Sequence, residues 1–491
     1  MKIYPVIFLF LCISIQLTKL SAQAFRDSVQ LSKRLTILPI GDSITEGSEG
    51  RFESYLFHLW EKLYSAGYLV DFIGPRSTPT RIGPLRHFAF GGKNAEYLEE
   101  RIDSIYWRYP ADIVLLHSGH NHFNTEQPVE GILAAHRSII QKIRAINPKA
   151  IIFDAAVIPS GKRPKYDYIP ELNKGIRQLV KAEKSGNVVF VDQAKLFDWK
   201  KHTTDDHVHP NTAGAQQIAQ VWFHAIRNHI PPACAAYHPE IVTYKQAEPD
   251  DLKLHIFRPV TPAANRPAIL FFFGGGWRNG TPLQFYRECA YYASRGMVAI
   301  AADYRISSVN KTTPFDSFDD AKDAIRWLRE HAATYGINPQ RIAVAGASAG
   351  GQLAAALGTI PVKPEDKSKP DYRPDLLVLY YPVVDNSTRG YATEAMKNHF
   401  MEISPLHNIS PDTPPALFIL GTKDTHIPVE TGERFRDEMK RNGVHCELHL
   451  IEGAGHPIFE YRKTLTENYY RIQRLTDDYL MKYEYLQKPQ K

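Results

Sequence analysis

RIAVAGASAGGQLAAALG, residues 341–358, reads as a buried strand, a sharp turn and a helix in eighteen residues. The apolar run from Ile342 ends at Gly346, and Gly350 and Gly351 follow at once. Glycines permit backbone too tight for other residues. Ser348 therefore sits at the tip of the turn. A tight turn rich in Gly, Ala and Ser accounts for these residues by itself, so the flanking segments have to decide.

The same strand–turn–helix unit recurs on both sides. Downstream and upstream of it, AILFFFGGG, MVAIAADY, LLVLYYPVV, PALFILGTKD and CELHLIEG read as further strands. One helix carries Ala321, Ala324, Ile325 and Leu328 at helical spacing. The first half follows the same plan, with RLTILPIGD, YLVDFIG, ADIVLLHSG, AIIFDAAVI and VVFVD as strands. Continuous apolar strands suit a mainly parallel sheet covered on both faces. Alternation with helices predicts an α/β fold. At 491 residues the chain exceeds the ~250–300 residues at which one core stops growing. IPPACAAYHPE, residues 230–240, has prolines near both ends and no periodicity. It divides the chain into a domain over 31–230, a linker over 231–240 and a domain over 241–485.

Residues 1–24 read as a cleavable secretory signal peptide. Lys2 precedes the short apolar run VIFLFLCISI, and SAQA offers small residues for cleavage. Export to the periplasm or the medium is the expectation. The run is too short for a membrane anchor, and no later segment is apolar enough for stable insertion. Of four cysteines, Cys12 leaves with the leader; Cys234, Cys289 and Cys446 form neither a disulfide framework nor metal-ligand spacing. The net charge of +6 is spread without a basic block, which argues against nucleic acid as a partner.

A second serine stands in LPIGDSITEG, where Ser43 follows a strand. Gly, Asp and Ser also favour ordinary turns. Three other segments favour chemistry. DDHVHPN carries Asp206 and His209 three residues apart. A hydroxyl needs a base to take its proton, and a carboxylate can orient a histidine for that task. HSGHNHF offers the Asn121 amide, and FGGKNAEYL the Gly92 N–H. With the Ser43 N–H, these are three donors for an oxyanion. Three histidines in HSGHNH also raise a metal site, but carboxylate or cysteine partners at ligand spacing are missing.

On these blocks, residues 34–229 resemble the SGNH (GDSL) hydrolases. Ser43, Gly92, Asn121 and His209 fall on that family's four named positions, with Asp206 as the third triad member. LPIGDSITEG followed by SYLFHLWEKLYSAGYLVDFIG looks particularly like its secreted carbohydrate acetyl esterases. The resemblance implies a flavodoxin-like three-layer α/β/α domain. The family's threonine and aspartate around the asparagine are here His120 and His122.

Residues 244–483 resemble the secreted bacterial esterases of the α/β-hydrolase family, among them acetyl and feruloyl esterases. Gly346-x-Ser348-x-Gly350 matches their nucleophile elbow. The resemblance implies an oxyanion hole from Gly275, Gly276 and the Ala349 N–H, and a Ser–Asp–His order met by Ser348, Asp424 and His456. Asp385, one strand earlier, is a rival acid and His426 a rival base. Phe273 stands where relatives carry a histidine before the three glycines. Residues 386–408 form a short, mixed insertion, long enough for a small lid but too short for the large cap of a lipase.

The reading is a two-domain carbohydrate esterase with no cofactor or metal. Its partner is an acetylated polysaccharide or oligosaccharide such as xylan, with O-acetyl esters as the first substrate and feruloyl esters as the second. A domain reduced to a carbohydrate-binding module would leave one serine without effect on any ester. A lipase or phospholipase would prefer long acyl chains.

Overall fold

The computed structural model describes residues 35–487 except 49–50, 185, 233–236, 260–262, 363–369, 392, 397 and 459–466. The leader reading, Cys12 and Cys234 lie outside the described residues. The chain divides into two compact units, with the break between Ala236 and Tyr237.

The N-terminal unit, Ser32–Ala236, is built on one sheet. Its strands are β1 (Leu35–Gly41), β2 (Val70–Phe72), β3 (Arg76–Thr78), β4 (Leu85–Ala89), β5 (Ile113–His117), β6 (Ile151–Ala155) and β7 (Val188–Val191). The order is β3-β4-β1-β5-β6-β7, with β2 also on β1. Only β3 runs antiparallel, against β4. β2 and β4 share one edge of β1: Leu35 pairs with Val70, and Gly41 with Ala89. β1 is thus central, with β5 on its other side. Leu38, Ile40, Val114, Leu116 and Ile152 form a core with Ile132, Ile139 and Ile143 of the helix Val129–Ile146. The helices Leu56–Ser65 and Thr212–His229 pack together, burying Leu59, Trp60, Leu63 and Trp222. Two short strands, β3 and β4, go unread in the sequence because RST and LRHFA carry charges.

The C-terminal unit has an eight-stranded sheet, ordered β15-β14-β13-β12-β10-β11-β9-β8. Its strands are β8 (Glu240–Lys245), β9 (Leu252–Phe257), β10 (Arg266–Phe272), β11 (Val298–Ala302), β12 (Ile337–Ala347), β13 (Leu376–Tyr380), β14 (Ala416–Gly421) and β15 (Cys446–Ile451). β10 to β15 are parallel, and β9 and β8 antiparallel. Glu240, read as the end of the linker, is already paired with Ile256 in β8. The stretch 341–358 lies at the centre. β12 sits between β10 and β13, and the helix Ala349–Thr359 that follows is buried throughout. The inserted segment contributes no long helix among its described residues, only 3₁₀ turns at Glu394–Met396, Phe400–Glu402 and Pro405–His407. Among the described residues, no helix is long and apolar enough to cross a membrane.

Two candidate active sites

In a parallel sheet, loops that leave the carboxyl ends of neighbouring strands lie side by side. In the N-terminal unit β4, β1 and β5 are neighbours. Their following loops carry Gly92, Ser43 and Asn121. Ser43 is the first residue of the short helix Ser43–Glu46. Asp42 caps that helix by accepting from the Ile44 N–H at 3.0 Å. A side chain at Gly41 is excluded, because its Cβ would lie 2.6 Å from the His117 carbonyl.

Ser43 Oγ lies 2.9 Å from His209 Nε2. His209 Nδ1 lies 2.5 Å from Asp206 Oδ2. Asp206 Oδ1 accepts from the N–H groups of Val208 and His209 at 2.8 and 2.9 Å. Burial opposes ionisation of Asp206, but the imidazole and these N–H groups outweigh it and hold the carboxyl at about 2. The acid is therefore charged wherever the base can work. Phe52 stacks on the His209 ring at 3.9 Å and 13°. That contact links residues 157 positions apart in sequence, which no local pattern signals.

Gly92 has φ +75°, and a Cβ there would meet nothing within 4 Å, so its backbone faces open space. The loop is held by the Gly91 N–H donating to Glu46 at 2.5 Å, and Arg76 pairs with the same carboxylate. Asn121 adopts φ +69° and donates one amide proton to the Lys93 carbonyl at 3.0 Å. Its neighbours explain the departures from the family pattern. His122 sits between Glu96 and Glu126 at 3.0 and 2.9 Å. The bond to Glu96, opposed by burial and aided by Glu126, raises its pKa. His120 is buried, with Nε2 3.2 Å from the Ile158 carbonyl and Nδ1 3.6 Å from the Asp42 carboxylate. His120 and His122 thus face separate partners rather than one point.

In the C-terminal unit, β10, β12, β13, β14 and β15 stand in that order. The candidate residues follow their carboxyl ends. Ser348 has φ +54° and ψ −116°, a strained backbone for a residue with a side chain. Its N–H donates to the Tyr380 carbonyl at 3.0 Å, and its carbonyl accepts from Val383 at 3.1 Å. Neither flanking glycine has room for a Cβ. At Gly346 it would lie 2.2 Å from the Gly350 carbonyl oxygen, and at Gly350 2.1 Å from that of Phe272.

Ser348 Oγ lies 2.8 Å from His456 Nε2, and His456 Nδ1 lies 2.7 Å from Asp424 Oδ2. Asp424 Oδ1 accepts from the His426 and Ile427 N–H groups, both at 2.8 Å. Burial works against the charged form of Asp424, yet the His456 bond and the two N–H groups bring its pKa below the usual value. The rival acid is engaged elsewhere: Asp385 binds Arg434 at 3.0 Å and Ser387 at 2.6 Å. The rival base, His426, meets Asp424 through its backbone, with its ring beside His456.

Gly275 and Gly276 adopt φ +139° and +64°. A Cβ on Gly275 would lie 2.0 Å from the Asn279 carbonyl. Ala349 opens a helix, so its N–H has no intrahelical acceptor. Three residues that the sequence reading leaves out brace this loop. Tyr304 stacks on Phe273 at 4.1 Å and donates to its carbonyl at 2.7 Å. Trp277 donates to Gln352 at 3.2 Å, and Gln352, fully buried, donates to the Ile403 carbonyl at 2.8 Å. The signal for Gln352 is its being the polar residue in AGGQLAAALG.

The comparisons agree with this division. The model of the GDSL-like Lipase/Acylhydrolase family matches residues 40–217, which hold Ser43, Gly92, Asn121, Asp206 and His209. The BD-FAE model matches 254–388, with the glycine loop and Ser348. The Prolyl oligopeptidase family model matches 376–482, with Asp424 and His456. Esterase LipC of Mycobacterium tuberculosis is 29% identical over 259 residues, 46% of this chain and 62% of that protein. An acetylxylan esterase of Xylanibacter ruminicola is 25% identical over 216 residues, 41% of this chain and 42% of that protein. The chain thus spans 42% to 62% of the length of these relatives. Esterase 2 of Thermogutta terrifontis, as its solved apo form, is 39% identical, with 51% of this chain and 96% of that one covered at a TM-score of 0.48. On the family models, the chain is a GDSL-like hydrolase domain followed by a domain of the α/β-hydrolase family.

Proposed function

We propose that the protein is an exported two-site serine esterase that removes O-acetyl groups, and with them feruloyl groups, from a plant polysaccharide such as xylan. The observation that carries this reading is the pair of complete relays, Ser43–His209–Asp206 and Ser348–His456–Asp424. The leader-like residues 1–24, the acetylxylan esterase relative and the BD-FAE match support the export and the substrate class.

At each site the serine oxygen attacks the ester carbonyl carbon while its proton passes to Nε2 of the histidine. The aspartate stabilises the imidazolium through Nδ1–H. The carbonyl oxygen becomes an oxyanion, met at the first site by the Ser43 and Gly92 N–H groups and the Asn121 amide. At the second it meets the Gly275, Gly276 and Ala349 N–H groups. Collapse expels the sugar hydroxyl, which takes the proton from the histidine and leaves an acyl-serine. Water then attacks the acyl carbon, gives its proton to the same histidine, and releases the acid and the free serine. A short linker would hold the second site near a polymer already engaged by the first, at an effective concentration of ~mM.

Acetate release from acetylated xylan by the full chain, Ser43→Ala, Ser348→Ala and the double variant tests this. Each single variant is expected to keep part of the release and the double variant none. Release by the double variant would overturn both assignments.

A further inference from the structure

The C-terminal relay has a neighbour that the N-terminal relay lacks. His426 is exposed, and its ring centroid lies 4.6 Å from that of His456. One ligand atom from each of Asp424, His426 and His456 lies within 4.8 Å of the others. Among the described residues, this is the one group of three His, Cys, Asp or Glu side chains gathered that closely. At the N-terminal site the ring against the histidine is the phenyl of Phe52, which has no lone pair to offer. Among the described residues, no third ligand joins Asp206 and His209 in such a group.

Two imidazoles and one carboxylate, with a fourth position open, form a donor set that zinc(II) takes in proteins. We propose that Asp424, His426 and His456 form an inhibitory site for a divalent transition-metal ion, zinc(II) foremost, that silences the C-terminal site and spares the N-terminal one. The inference rests on the reading of His456 as the base for Ser348. A neutral imidazole has one nitrogen with a free lone pair. In the relay that nitrogen is Nε2, which accepts from Ser348 Oγ, while Nδ1–H faces Asp424. A metal on Nε2 occupies the acceptor directly. A metal on Nδ1 sends the ring proton to Nε2, which then donates instead of accepting. Either placement takes the base from Ser348. Tyr381 and Ser348 flank His456, and the exposed His426 ring is the ligand placed to turn toward the ion.

The test uses the full chain with two probes, cobalt(II) for its ligand-field spectrum and zinc chloride as inhibitor. Ser43→Ala reads the C-terminal site and Ser348→Ala the N-terminal one, each against its own metal-free rate. Cobalt(II) is expected to give a low-symmetry visible spectrum with the wild type that is lost in His426→Gln. Zinc is expected to inhibit Ser43→Ala, with the half-inhibiting concentration rising roughly tenfold or more when His426→Gln is added. Ser348→Ala should keep its rate at that zinc concentration. A cobalt spectrum and zinc inhibition both unchanged by His426→Gln, or equal inhibition of the two serine variants, would overturn the proposal. So would a wild type that shows no cobalt binding at millimolar concentration, which needs no variant to fold. If Ser43→Ala hydrolyses no ester at all, the esterase reading of that site fails, while the cobalt spectrum still decides the metal site.

Discussion

Ser43 and Ser348 meet a histidine at 2.9 and 2.8 Å, but the two units bring them there by different means. Ser43 opens a helix capped by Asp42, on backbone that needs no strain. Ser348 is held at φ +54° between two glycines that have no room for a Cβ. The acids differ as well. Asp206 shares a loop with its histidine, and its side chain is 42% exposed; Asp424 comes from another strand end, 32 residues from His456, with its side chain fully buried. One unit builds its relay locally and leaves it wet. The other assembles it through the sheet and dries it.

The largest contrast should appear in the acids. Asp424→Asn is expected to cost on the order of 10⁴ in kcat at its site, because a buried amide imposes the wrong tautomer on His456. At Asp206 solvent can partly replace the carboxylate, so Asp206→Asn should cost roughly tenfold less. Each is measured as kcat with the other serine mutated to alanine. Equal losses would break the wet-against-dry distinction.

Buried carboxylates outside the relays extend it. Burial pushes Glu288, which lines a small cavity with Tyr292, Tyr380 and Tyr469, up to about 7. Its protonated form is the one the fold favours. Stability is therefore fullest below the usual glutamate pKa and falls as pH rises toward 7, by about 3 kcal/mol for one such group. Glu288→Gln should raise the melting temperature at pH 8 and leave it nearly unchanged at pH 4. Asp42 shows the opposite sign. Burial would raise its pKa, but the His120 imidazole 3.6 Å away and the Ile44 N–H bring it below the usual range. Its contribution is present above the ordinary aspartate pKa and is lost in acid. Asp42→Asn should therefore cost stability at pH 7 and less at pH 3, read by chemical unfolding at the two pH values.

The glycines carry the comparison into the backbone. Gly350→Ala forces a Cβ onto two carbonyl oxygens, at 2.1 and 2.3 Å, and should cost about 3 kcal/mol or more with loss of activity at Ser348. Gly92→Ala meets only the positive φ, a cost of about 1 kcal/mol. Calorimetry of the two variants compares them.

The two relays were not equally legible in the sequence. Asp206 and His209 are three residues apart, so their pairing is visible in DDHVHPN itself. Asp424 and Asp385 both follow strands, and what separates them is the His456 bond to Asp424 and the Arg434 partner of Asp385. Strands with continuous apolar runs, such as β5 and β12, were readable. The edge strands β3 and β8, and β9 beside β8, were not, because charged residues break their apolar pattern. Phe52 on His209, Tyr304 on Phe273 and Trp277 on Gln352 are contacts across long sequence separations, which composition and spacing do not encode.

The most direct measurement of two independent nucleophiles in one chain is covalent labelling by a fluorophosphonate, read as intact mass. Two adducts are expected on the wild type, one on Ser43→Ala, one on Ser348→Ala and none on the double variant. A single adduct on the wild type, or an adduct persisting on the double variant, would contradict two working serines.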